Sequence, residues 1–268
     1  MKQNSVRLPI YQVDAFAENV FAGNPAAVVP LLQWLSNDVM QNIAMENNLS
    51  ETAFFVKTGD NADYHLRWFT PEFEIDLCGH ATLASAYVIK KFIEPDISII
   101  RFSTEKAGVL QVSFSGEDIM LDFPARMPQH CDTPDILLES LGISEAVEVL
   151  KSRDYFVVLP NEEAVKNISP DVERMKDLDA VGVIVTARGQ SADFVSRCFY
   201  PGAGITEDPV TGSAHCNVVP YWHSKTGMDK MRCRQLSARG GELLCQLKDD
   251  RVLMSGKAVL FMKGEIYL

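Results

Sequence analysis

No C-x-x-C pair occurs in this 268-residue chain, although it carries six cysteines, Cys78, Cys131, Cys198, Cys216, Cys233 and Cys245. That absence excludes the common zinc and thioredoxin-like spacings. An intracellular chain of this size needs no disulfide framework either, so most of the thiols are expected to be free and buried. G-x-G-x-x-G and Walker sequences are missing, which leaves a nucleotide cofactor without support. No apolar run approaches the roughly 20 residues that span a bilayer, and MKQNSVRLPIYQVDAF at the N-terminus lacks an apolar core of signal-peptide length. The expectation is a cytoplasmic protein with no membrane partner. Basic runs are also lacking. At a formal charge of −11 the chain does not suit a nucleic-acid backbone, so an anionic substrate must be held by locally placed donors.

What the chain does have is enough apolar residues, 47%, for one large domain or two of about half its length. It also has an internal echo. Residues 67–86 (RWFTPEFEIDLCGHATLASA) return ungapped 130 positions later as residues 197–216 (RCFYPGAGITEDPVTGSAHC). Arg67, Phe69, Pro71, Ile75 and Ala84 coincide with Arg197, Phe199, Pro201, Ile205 and Ala214. Average composition predicts about one or two such matches. Each copy reads as a strand, a Pro-containing loop and a run of small residues opening a helix. In this register Cys78 falls opposite Asp208, and a site between two related halves is the first expectation.

A helix is expected over 36–48, with Ser36 as N-cap and Val39, Met40, Ile43 and Ala44 as its apolar stripe. Strands follow at 52–56, 64–69, 97–102, 109–114 and 119–123. After Pro124, a short helix near 134–141 precedes strands at 155–159, 181–186 and 194–200. A helix over 212–226 and strands at 242–247, 251–254 and 258–268 complete the chain. Strands outnumber helices without βαβ alternation, so the fold class is α+β. The halves divide as 1–122 and 123–268, with the last strand, 260–268, returning to the first half.

Three places could carry chemistry. Glu46 lies seven residues after Val39 and three after Ile43, on the apolar face of its helix. Burial and the negative helix end would both raise its pKa towards general acid/base work, whereas a frayed last turn would leave it in water. In 204–215 (GITEDPVTGSAH), the backbone N–H groups of Gly212 and Ser213 would suit a carboxylate, and Asp208 could orient a substrate or take a proton. Alternatively, Asp208 or Thr211 merely caps the helix. In 77–82 (LCGHAT), a Cys78/His80 nucleophile pair would require the imidazole to reach the sulfur, and residues two apart at such a turn usually diverge. A buried Cys78 beside a hydrogen-bonded His80 is the plainer reading. Cys78, His80, His215 and Cys216 have no usual zinc spacing, so no metal is expected.

Taken together, QVDAF (12–16), GNPAAV (23–28), Glu46 with NLSETAF (48–54), RWFTP (67–71), LCGHAT (77–82), EDPVTGSAH (207–215) and RGGEL (239–243) resemble the PhzF-like proteins. These form the phenazine-biosynthesis isomerase family within the diaminopimelate epimerase superfamily. The resemblance implies two pseudo-symmetric halves, each a curled sheet around a central helix, and a site needing no cofactor. It implies Glu46 as general acid/base, His80 and Asp208 as polar partners, and Gly79, Gly212 and Ser213 near substrate, with Cys78 and Thr211 beside them. The second-thiol position of the amino-acid epimerases is Pro209 here, while Cys78 retains the first, which argues against a two-thiol racemase. The expected reaction moves a proton on a small carboxylate-bearing metabolite, with an amino-acid or hydroxy-acid epimerase, or a binding protein, as alternatives. A homodimer is expected by family analogy.

Overall fold

The computed structural model describes residues 6–59 and 61–268. The chain folds as two units, residues up to 121 together with 256–268, and residues 122–255.

In the first unit β1 (Arg7–Ala15), β2 (Asn24–Leu31), β3 (Glu51–Lys57), β4 (Tyr64–Phe69), β5 (Glu74–Ile75), β6 (Ile99–Ser103) and β7 (Val109–Ser115) are joined by α1 (Asn37–Asn47) and α2 (Gly79–Val88). β8 (Asp118–Pro124) carries the chain across the boundary. β1 pairs antiparallel with β2, β2 parallel with β3, β3 antiparallel with β4, β4 parallel with β6 and β6 antiparallel with β7. Strand parity gives this sheet two apolar faces. Ala27, Val29, Leu31 and Phe54 pack with Met40, Ile43 and Ala44 of α1. The alternate set, including Ala26, Val28, Ala53 and Phe55, serves α2, which contacts β1, β2 and β3 and is buried at every position except Tyr87. A helix of small residues (GHATLASA) permits that enclosure.

The second unit contains β9 (Gln129–His130), α3 (Asp135–Leu141), β10 (Glu148–Lys151), β11 (Tyr155–Val158), α4 (Glu162–Lys166), β12 (Val183–Arg188), β13 (Phe194–Tyr200) and β14 (Ile205–Asp208). It continues with α5 (Gly212–Thr226), β15 (Lys230–Gln235), β16 (Gly241–Lys248) and β17 (Arg251–Gly256), which ends at the boundary. Its pairing repeats that of the first unit. β11 is parallel to β12, β12 antiparallel to β13, β13 parallel to β15 and β15 antiparallel to β16. α5 is the enclosed helix here, buried at Gly212 and from Ala214 to Trp222. Pro220 lies inside it and cannot bond the Cys216 carbonyl, which instead accepts the Arg126 N–H at 2.7 Å. The last strand, β18 (Ala258–Tyr267), returns to the first unit and pairs antiparallel with β1.

The repeated arginines occupy equal stations. Arg67 forks Glu74 at 2.7 and 2.6 Å and lies 5.2 Å from the Phe69 ring. Arg197 forks Glu207 at 2.7 and 2.9 Å and lies 5.1 Å from Phe199. The ungapped register ends there, because Glu74 and Glu207, like the helix starts Gly79 and Gly212, are 133 residues apart rather than 130. A 3₁₀ turn at Pro201–Ala203 takes up the difference. Thr211, not Asp208, therefore holds the N-cap station that Cys78 holds in the first unit.

Among the described residues no helix is long and apolar enough to cross a membrane. Gly23, ahead of β2, has φ +65°, and a Cβ there would lie 2.2 Å from the Ala15 carbonyl oxygen. Gly23→Ala is expected to cost about 2–3 kcal/mol, from backbone strain plus a clash that only main-chain movement can relieve. Urea unfolding of the two proteins at neutral pH measures it, and equal midpoints would contradict it.

Candidate active site

The first loop builds a buried cluster from three elements. β2 and β3 run parallel with Ala26 opposite Glu51, so Asn24 and Glu51 open neighbouring strands at the same edge and share the α2 face. His80, in the first turn of α2, meets both. Its Nε2 lies 2.9 Å from Glu51 Oε2, and its Nδ1 lies 3.0 Å from Asn24 Nδ2. Cys78 Sγ is 3.5 Å from the same Nδ1. The expected divergence of thiol and imidazole is thus wrong, because the extended backbone of Cys78 (φ −135°) turns its side chain back beside the ring. The Thr82 hydroxyl donates to the Cys78 carbonyl at 2.5 Å and secures that turn.

Charge in this cluster follows from burial and neighbours. Burial, reinforced by the Glu51 charge and opposed by His80, pushes the Cys78 thiol up to about 11, so it is a neutral thiol at pH 7. Burial opposes a charge on His80, yet the neighbouring Glu51 carboxylate favours the imidazolium and raises its pKa. Donor atoms of Glu51, Cys78 and His80 all lie within 4.8 Å of one another, the only such grouping among the described residues. His80 Nε2 and Glu51 Oε2 form an ion-pair contact at 2.9 Å, although Glu51 Oε2 accepts no hydrogen bond from the described residues.

In the second loop Asp208 ends β14 and is buried. The Thr211 hydroxyl donates to Asp208 Oδ2 at 2.5 Å, and Thr211 makes no side-chain cap on α5 although it occupies the cap position. The capping role considered for Thr211 is therefore not the one it has. Gln235, at the end of β15, braces the turn from below. Its Nε2 donates to the Asp208 carbonyl at 2.6 Å and to Thr211 Oγ1 at 3.2 Å, while its Oε1 accepts the Thr211 N–H at 2.8 Å. Gly212 and Ser213 follow as the first residues of α5.

Glu46 stands in the last turn of α1. It is exposed, although Ile43 three positions before it is buried with Met40 and Ala44, and Val39 seven positions before it is only partly buried. The burial expected for Glu46 is absent. The turn is not frayed, since Asn48 closes the helix in the left-handed conformation with its N–H on the Ala44 carbonyl.

A family model described as phenazine biosynthesis-like protein matches residues 13–264. The chain belongs to this family. An uncharacterized isomerase of Pseudomonas aeruginosa is 51% identical over 98% of this chain and 100% of its own length. The crystal structure of a PhzF-family protein from Enterococcus faecalis, 50% identical, superposes with a TM-score of 0.92 over 98% of this chain and 100% of that one. A hydroxyproline epimerase from Agrobacterium vitis, only 9% identical, shares the fold alone, with a TM-score of 0.67 over 100% of this chain and 93% of its own. Like its closely similar relatives, this PhzF-type protein is an isomerase.

Asn24 and Glu51 pack against the first loop and Gln235 against the second, which sequence reasoning did not single out. Gln235 had a signal, since KMRCRQ buries alternate residues Met231 and Cys233, and a polar side chain at the next inward position needs a polar partner. A groove of about 780 Å³, lined in part by Glu18, Tyr87, Lys90, Phe114 and Lys257, contains none of the site residues. Two of its three lysines are engaged, Lys257 with Glu18 at 2.7 Å and Lys90 with the Ile97 carbonyl at 2.6 Å.

His215 supplies a pH dependence. It is fully buried in α5, its Nδ1–H donates to the Thr211 carbonyl at 2.8 Å, and burial pushes its pKa down to about 4. A folded-state pKa below the unfolded value of 6.5 means that the unfolded chain binds the extra proton, so stability falls as pH drops from 6.5 towards 4. The loss attributable to His215 is about 3 kcal/mol. The His80 pair has the opposite sign, its contribution being present below 6.5 and lost as pH rises through the raised folded value. His215→Gln is expected to flatten the acid limb in urea titrations at pH 7.5 and 4.5. Parallel pH slopes for both proteins would contradict the assignment.

Proposed function

We propose that this isomerase moves a proton on a small carboxylate-bearing metabolite, at a carbon activated by the carboxylate or by a conjugated system, with Glu46 as the general acid/base and no cofactor. The observation that carries the reading is the state of the carboxylates in the family motifs. Glu51 is buried with its Oε2 2.9 Å from His80 Nε2, Glu207 is bonded by Arg197 and Asp208 by Thr211. Glu46 is exposed and has no protein partner among the described residues. A group that must exchange its proton with a substrate needs that freedom.

In this reading the Glu46 carboxylate removes a proton from one carbon and, as the carboxylic acid, returns it to another on the same face. The double bond shifts between them and no net proton is consumed. His80 and Asp208 are proposed as further polar groups for the substrate, with Gly79, Gly212, Ser213, Cys78 and Thr211 as its contacts. One observation favours an epimerase as the second reading, namely Cys78 Sγ at 3.5 Å from His80, since a thiol beside an imidazole can also carry a proton. Deuterium uptake from D₂O into small carboxylates, dihydro-hydroxyanthranilate and amino acids among them, tests the function. Uptake with a shifted double bond supports isomerisation. Uptake with loss of optical rotation transfers the protein to the epimerases, and carboxylate binding without uptake makes it a binding protein.

A further inference from the structure

β18 is the longest strand among the described residues, yet not one of its ten residues is buried. It pairs with β1, β1 also pairs with β2, and β2 with β3, so β18 is the outermost strand on that side of the first unit. An outermost strand presents a row of backbone N–H and C=O groups, and with exposed apolar side chains it invites a further strand. Phe261, Met262 and Tyr267 are 46%, 42% and 61% exposed. Phe21, between β1 and β2, enlarges the patch. Its ring centroid lies 5.8 Å from that of Phe261, it is 70% exposed, and it holds a φ of +72°, which a bulky residue seldom adopts.

We propose that the outer edge of β18 pairs antiparallel with the same edge of a second copy, forming a homodimer with its two-fold axis at Gly264. Charge selects both this occupant and this register. A lysine on an edge strand ordinarily discourages a second strand, and Lys263 makes no ion pair among the described residues, its Nζ lying 5.1 Å from the Phe92 ring centroid. With Gly264 opposite itself, Lys263 falls opposite the partner's Glu265 and Glu265 opposite the partner's Lys263. Symmetry thus makes the ion pair twice. Met262 falls opposite the partner's Ile266 and Phe261 opposite the partner's Tyr267, apolar against apolar. Moving the axis one residue either way sets Lys263 or Glu265 opposite its own copy, and like charges in direct opposition destabilise a strand pair. From Met262 to Tyr267 the strand runs in unbroken register with β1, so its outer edge is regular where the two copies would meet. This interface is independent of the role assigned to Glu46.

Sedimentation velocity and cross-linking of the full chain test the proposal. The wild type is expected to sediment as a dimer at micromolar concentration, and a monomer would overturn it. Gly264→Cys sets two thiols opposite each other, where antiparallel strand partners have Cα atoms about 4.5–5.5 Å apart, within disulfide range. A Cβ at Gly264 would meet nothing closer than Ile10 Cγ2 at 3.7 Å, an ordinary contact. Under mild oxidation this variant is expected to give a covalent dimer on non-reducing gels, reversed by dithiothreitol. A dimer that fails to cross-link uses another surface and overturns the proposal. Lys263→Glu sets glutamates opposite each other twice and is expected to weaken dimerisation about tenfold, whereas Lys263→Glu combined with Glu265→Lys restores it. Both residues are exposed, so neither change should unfold the chain. Equal weakening in the single and double variants would overturn the assigned register.

Discussion

Gln235→Leu is expected to destabilise the protein by about 3–5 kcal/mol and to remove Asp208 from its present position. Gln235 is fully buried, and its amide makes three contacts to the turn between β14 and α5. Leucine fills similar space but leaves the Asp208 carbonyl and the Thr211 N–H without their partner. Each such buried group costs about 1–3 kcal/mol. The Thr211 hydroxyl, now held by both Gln235 and Asp208, loses one of its two anchors. Gln235→Glu retains the acceptor for the Thr211 N–H and should recover part of the loss at acidic pH, where its carboxyl can also donate. Urea denaturation of the three proteins measures the effect. A Leu variant within 1 kcal/mol of wild type would show that the turn does not depend on Gln235.

The same turn shows what the sequence made legible and what it did not. Arg67 and Arg197 were found as a repeat, and they make the same two contacts, because an arginine, a phenylalanine two residues on and a glutamate across a short strand are local features. The helices α1 and α5 and the strands around Phe54, Trp68 and Phe199 were likewise legible from periodicity and caps. The register of the second loop was not, since three extra residues form a 3₁₀ turn that no periodicity announces. β15 was missed because charged Lys230, Arg232 and Arg234 alternate with its buried residues and hide the strand.

Of the site residues, Cys78, Gly79 and His80 are brought together, as are Asp208, Thr211, Gly212 and Ser213. Glu51 escaped notice because a glutamate opening a strand reads as a solvent residue, and its burial comes from a neighbouring strand far away in sequence. The exposure of Glu46 has a similar origin. A position at the rim of an apolar stripe is buried only if another element covers the rim, and here Val39, seven positions before it, is itself only partly covered.

Glu46→Gln is expected to reduce proton transfer by about 10²–10⁴-fold, the usual contribution of a positioned acid/base. The amide has nearly the shape of the carboxylate and cannot accept the proton. Because Glu46 is exposed and without a protein partner among the described residues, the substitution should change stability by less than about 0.5 kcal/mol. Loss of activity without loss of fold therefore separates a chemical role from a structural one. Affinity for a carboxylate ligand should also be nearly unchanged, since the donors assigned to substrate lie elsewhere.

The decisive measurement is deuterium incorporation from D₂O, followed by NMR with wild type and Glu46→Gln side by side on the same carboxylate substrate. Deuterium entering a substrate carbon with the wild type, and at least 100-fold more slowly with Glu46→Gln, is the result expected for a Glu46 acid/base. Equal rates of incorporation by the two proteins would contradict it.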